Sequence, residues 1–188
     1  MRKFLLSLSV VVVVLGGLFG CSQQKKWNRE QRQALRHMLR DYREMVYLEN
    51  LTEAEYMLFA DEVAATIEQN FPVYTTFIEM PAVNDTVQVY VVTTIVDQLN
   101  ADVRNMRHLF PYNSLVQSNI LPSGLDRVQQ NAFYRCLAQK VNNTYPDVES
   151  FVNAMLADTT SMSTINLLQQ QCATDLFGWE IDIIEIAD

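Results

Sequence analysis

Two histidines, three cysteines and a surplus of carboxylates are the side chains from which this chain could build chemistry. His37 and His108 lie in no HExxH pattern, and no CxxC occurs, so the spacing predicts no metal site. No GxSxG, Walker or GxGxxG sequence is present to activate a serine or cradle a phosphate. Carboxylate pairs such as Asp61-Glu62 are ordinary on solvated helix faces, and nothing singles one out as a general acid or base. These observations predict a chain that is not an enzyme, with no catalytic residue and no cofactor. The cysteines Cys21, Cys136 and Cys172 are the residues left to explain.

Cys21 ends a distinctive start. Arg2-Lys3 precede an apolar run from Phe4 to Phe19, and Gly20 stands directly before the cysteine. That run is short for a membrane span and reads as an export signal. Leu18-Phe19-Gly20-Cys21 resembles the lipobox of bacterial lipoproteins, with Phe19 where that family usually has a small residue. The resemblance implies a signal peptide over residues 1–20, a diacylglyceryl group on the Cys21 thiol, cleavage before Cys21 and acylation of the new terminus. The following Ser22-Gln23-Gln24-Lys25-Lys26 lacks the acidic cluster that marks surface display in lipoproteins of the Bacteroides group. By that resemblance the chain faces the periplasm from the outer membrane. Two tripeptides, Asp85-Thr86-Val87 and Asp158-Thr159-Thr160, resemble the motif at which exported proteins of that group receive O-linked glycans, on Thr86 and Thr159. Helix N-capping by Asp or Thr is the plainer reading of the same residues.

Export places the remaining cysteines in an oxidising compartment, where Cys136 and Cys172 are expected to pair as a disulfide. The alternative is two buried thiols packing as small hydrophobes.

Charge excludes one class of partner. The chain carries a formal −8, and phosphate backbones need a basic face, so nucleic-acid binding is not expected. The charge is also uneven. Residues 21–49 hold seven basic and four acidic side chains, whereas residues 50–188 hold five and eighteen. The basic part adjoins the anchor.

The elements that must position these residues are helical. After a tether over 21–27, the periodicity predicts one helix over 28–49. Leu35, Met38, Leu39, Tyr42, Met45 and Val46 form its apolar stripe. Arg29, Arg32, Arg36, Arg40 and Arg43 share another face, either solvated and paired within the helix, as in Arg40–Glu44, or meeting anionic lipid or the acidic body. Thr52 and Glu55 form a capping box, Phe59, Val63, Ile67 and Phe71 follow at helical spacing, and Pro72 ends that helix. A short helix is expected over 73–80, and Asn84-Asp85-Thr86 offers a cap for the next.

Residues 87–96 are rich in β-branched side chains and favour a strand by propensity. An internal repeat argues for a helix over 87–108 instead. Phe59 to Pro72 aligns without a gap on Phe133 to Pro146, an offset of 74 residues, and Phe77 then meets Phe151. One deleted residue further on, Val92, Ile95, Leu99 and Val103 meet Ile165, Leu168, Cys172 and Leu176, so that Cys136 and Cys172 correspond to Glu62 and Leu99. The expected fold is all-α: an N-terminal helix and two units of long, short and long helix, over 50–110 and 125–178. Residues 111–124 link them. Gly178 stops the last helix, and 179–188 form a tail read as either strand or frayed helix.

The function expected of such a chain is a non-catalytic, lipid-anchored module that binds a protein or envelope component. The rivals are a carrier holding an apolar ligand between the units and, third, an enzyme of unknown type.

Overall fold

The computed structural model describes residues 26–157 and 159–179, and every regular element among them is helical. Helix α1 spans Arg29–Leu39 and α2 spans Val46–Glu49. The first unit comprises α3 (Glu53–Asn70), α4 (Tyr74–Ile78) and α5 (Val83–Ala101). Two short helices, α6 (Met106–Leu109) and α7 (Tyr112–Gln117), lead to the second unit. That unit comprises α8 (Arg127–Thr144), α9 (Val148–Ala157) and α10 (Thr159–Phe177). Helices α3 and α5 pack together, as do α8 and α10, and α9 packs across the seam onto α5.

The two units repeat in detail. Thr52 and Asp126, 74 residues apart, each cap an 18-residue helix through a capping box, closed by Glu55 and Gln129. Phe59, Ala60, Val63, Ala64 and Ile67 are buried, and so are their counterparts Phe133, Tyr134, Leu137, Ala138 and Val141. The Phe71 and Phe77 rings stand 5.5 Å apart, and the equivalent Tyr145 and Phe151 rings 5.4 Å.

The deletion placed in the third helix is not there. Val91, Thr94, Ile95 and Leu99 are buried, and so are Ile165, Leu168, Gln169 and Ala173, which continues the offset of 74 without a gap. With the deletion, exposed Leu176 would match half-buried Val103. The apolar spacing admitted both registers because Val91-Val92 and Ile95-Val96 place apolar side chains at neighbouring positions of α5. Burial chooses one.

Residues 83–101 are helical despite their β-branched content, because packing of one face against α3 and α9 overrides propensity. The helix does not reach 108. Asp102 leaves the helical conformation and its carboxylate accepts the Arg104 backbone N–H at 2.9 Å, starting a 3-10 turn over Val103–Asn105 before α6. Nor does α5 begin on the Asn84-Asp85-Thr86 cap. Its N-cap is Ala82, held at φ +58° with no side-chain cap bond.

The predicted helix over 28–49 is likewise broken. A 3-10 turn over Arg40–Tyr42 and a bend at residues 43–45 redirect the chain, so that Tyr47 and Leu48 enter the core. The residues between the units are no loose linker. They contain α7, bury Leu115, Ile120 and Leu121, and are tied by Tyr112, whose hydroxyl donates to the Pro122 carbonyl and accepts the Leu125 N–H, both at 2.9 Å. Gly178, at φ +61°, ends α10 as expected. Of the tail only Trp179 is described, and its indole N–H donates to the Asn119 carbonyl at 3.0 Å.

Candidate functional site

Two features gather side chains that the fold itself does not require: the arginine face of α1 and a cleft on the seam between the units.

The arginine face turns onto the body. Arg32 grips Glu68 of α3 with two bonds of 2.9 Å, Arg36 pairs with Asp61, and Arg43 reaches Glu53 at 3.5 Å while lying 4.1 Å over the Tyr56 ring. The Arg32 side chain holds the Glu68 carboxyl below its ordinary range. Arg29 and Arg40, at the two ends of α1, are exposed and have no carboxylate partner among the described residues. The five arginines, read from sequence as one face that is either solvated or meets anionic lipid or the acidic body, are thus divided, three facing the acidic body and two facing solvent. Just before α1, Trp27 is only 3% exposed. Its indole N–H donates to the Phe71 carbonyl at 2.9 Å, its backbone N–H donates to Glu68 at 3.1 Å, and its ring meets Tyr74 edge-on at 4.9 Å.

The seam cleft encloses about 420 Å³ and takes side chains from both units, among them Glu55, Arg107, His108, Arg127 and Asn131. His108 is buried at its base. Its Nδ1 lies 3.3 Å from the Asn50 carbonyl, which only accepts, so Nδ1 carries the proton. Nε2 then presents its lone pair 4.0 Å from a Glu55 carboxylate oxygen. Burial pushes the His108 imidazole below its usual value, with the Arg107 charge adding to the effect. The Glu55 carboxyl is held below its usual range because the Thr52 backbone N–H and hydroxyl both donate to it, at 2.9 and 2.8 Å. Arg107 donates to the same carboxylate at 3.1 Å and is thereby oriented across the cleft. Arg127 also lines the cleft, without an acidic partner among the described residues. Asn50 closes the base by donating to the His108 carbonyl at 3.1 Å, and Tyr47 stacks its edge 5.3 Å from the imidazole. The Tyr134 hydroxyl, bonded to the Phe110 carbonyl at 2.8 Å, is pushed up to about 12 by burial.

A neutral imidazole, an ionised carboxylate and two guanidinium groups give this cleft side chains that can hydrogen-bond polar groups and pair with anionic ones. Sequence reading missed most of it. Glu55 was legible only as a cap and His108 only as a histidine without ligand spacing. Asn50 and His108 are 58 residues apart, so no local pattern announces their contact.

The other sequence-derived residues fall as follows. Cys136 and Cys172 are joined, with Cα atoms 5.9 Å apart. Thr86 lies half-buried in the first turn of α5, its hydroxyl 3.4 Å from the Ala82 carbonyl. Thr159 opens α10, and Asp158 before it lies outside the described residues. So do Cys21 and the whole of 1–25. Among the described residues no helix is long and apolar enough to cross a membrane, and no group of His, Cys, Asp and Glu could hold a metal ion. No family model, curated protein or solved structure matches the chain.

Proposed function

We propose that this chain is a non-catalytic envelope module, held to the outer membrane by lipid on Cys21, that faces the periplasm and binds a protein or envelope component at the seam between its two units. One observation carries the reading: the cleft is built from both repeats, with Glu55 contributed by the first and Arg127 by the second, and with Arg107 from α6 between them. A duplicated scaffold offers the exposed side chains of its seam for recognition. In a chain of net charge −8, a cleft presenting two guanidinium groups favours an anionic group on the partner. Photocrosslinking from position 131 in native membranes tests this. One defined adduct that disappears in Arg107→Gln/Arg127→Gln supports the seam, whereas an unchanged adduct rejects it. Cys21→Ala should abolish acyl labelling and release the protein or leave an uncut precursor.

A second reading, carriage of an apolar ligand, has its own observation. A groove of about 370 Å³ over Leu109, Phe110, Leu115 and Ile120 separates α7 from α10. Lipid co-purifying with the wild type and lost on Leu115→Lys would favour it.

A further inference from the structure

Lipid on Cys21 would hold the body to a bilayer at very short range. Trp27 is locked into the core by two hydrogen bonds and two ring contacts. Cys21 is six residues away. A fully extended chain of that length spans at most about 21 Å. A compact body of this size has a radius of gyration of about 15 Å. Such a tether brings the Trp27 end of the body to the bilayer and keeps the opposite end from turning toward it.

The surface at that end has the chemistry of a bilayer interface. Lys26, Asn28, Gln31, Val73, Tyr74 and Thr75 surround an open depression of about 480 Å³. Val73 is 52% exposed, an apolar side chain at the rim. Lys26 is exposed, and Arg29 projects from the first turn of α1. A basic side chain close to anionic lipid is worth about 1 kcal/mol, and a tyrosine suits the headgroup level. Arg32 and Arg36 of α1, and Arg43 beyond it, are engaged by Glu68, Asp61 and Glu53 and so are less available to lipid. Arg40 lies about 16 Å along α1 from Arg29. The remaining chain, with eighteen acidic and five basic residues over 50–188, is repelled by an anionic surface.

We propose that the end of the body formed by Lys26, Arg29, Val73 and Tyr74 rests on the anionic bilayer surface, so that the bundle stands end-on over its own anchor. The inference rests on lipidation of Cys21. It replaces a side-on contact along the arginine stripe with contact at one end of α1.

The test uses lipidated full chain purified from membranes and reconstituted in vesicles of phosphatidylethanolamine and phosphatidylglycerol carrying nitroxide headgroups. With Cys21 acylated and Cys136 joined to Cys172, Val73→Cys provides a single free thiol for an environment-sensitive fluorophore. Leu58→Cys, on the exposed face of α3 and about 15 Å along that helix from Glu68, is the reference. Emission should be quenched at position 73 and not at 58. Lys26→Gln/Arg29→Gln should reduce the quenching at 73 while attachment persists, and Arg40→Gln should leave it unchanged. Attached protein with no quenching at 73, or equal quenching at both positions, overturns the end-on contact alone. Mass analysis of the same sample showing no acyl chain on Cys21 overturns the anchor and, with it, this orientation.

Discussion

Gln98 donates its side-chain amide to Glu62 at 2.8 Å, and these two residues stand where Cys172 and Cys136 stand in the second unit. Both links join residues 36 apart and tie the first long helix of a unit to the third. One repeat closes this position with a hydrogen bond and the other with a covalent bond. Chain-entropy reasoning gives the disulfide about 4 kcal/mol of stabilisation for a loop of this length. Cys136→Ser/Cys172→Ser should therefore lower the unfolding free energy by about 3–4 kcal/mol, read by urea denaturation. The equivalence also predicts that Glu62→Cys/Gln98→Cys oxidises to a second bridge. Non-reducing peptide mapping checks it, and a pair of free thiols after oxidation would contradict the structural match.

Trp27 is the first buried residue among those described. Removing it by Trp27→Ala empties a site walled by Tyr74 and Phe77 and frees the Phe71 carbonyl. A loss of about 3–5 kcal/mol is expected. Trp27→Phe retains much of the packing and should cost less, the difference reporting the indole hydrogen bond. Thermal unfolding of both variants measures the two contributions.

His108 makes stability pH-dependent near neutrality. Its folded value lies below the ordinary 6.5, first because it is buried and second because of Arg107. The unfolded chain therefore takes up this proton first as pH falls. The contribution of neutral His108 is complete above about pH 6.5 and declines as pH drops below it. His108→Asn, which retains a donor for the Asn50 carbonyl, should flatten that decline between pH 7 and 5.5. Urea midpoints at the two pH values decide it, and parallel slopes for the two proteins would contradict the assignment. The further loss below about pH 4.5 belongs to Glu55 and Glu68, whose values are held down by Thr52 and Arg32, and should persist in the variant.

Ala82 sits at φ +58°, a conformation that glycine adopts without strain and alanine does not. Ala82→Gly should gain about 0.5–1 kcal/mol, the relief of strain exceeding the added freedom of the unfolded chain. Ala82→Val should lose stability. Paired denaturation curves check both signs.

The sequence by itself determined the helices and their repetition, because these depend on local signals. The Thr52–Glu55 box, Gly178 after α10, and the aromatic-proline ends at Phe71-Pro72 and Tyr145-Pro146 are set by neighbours within a turn or two. The second repeat also carried the helical reading into residues 87–96, where propensity alone pointed to a strand. Tertiary structure decided what depends on burial. It removed the gap in the third helix by burying Leu99 and its counterpart Ala173 at equivalent positions, and it bent the chain after Leu39 so that Tyr47 could reach His108. It also turned Arg32, Arg36 and Arg43 onto α3 and left Arg29 and Arg40 in solvent. Five arginines at helical spacing look alike in one dimension. Only the carboxylates of Glu68, Asp61 and Glu53, brought alongside by folding, make three of them different from the other two.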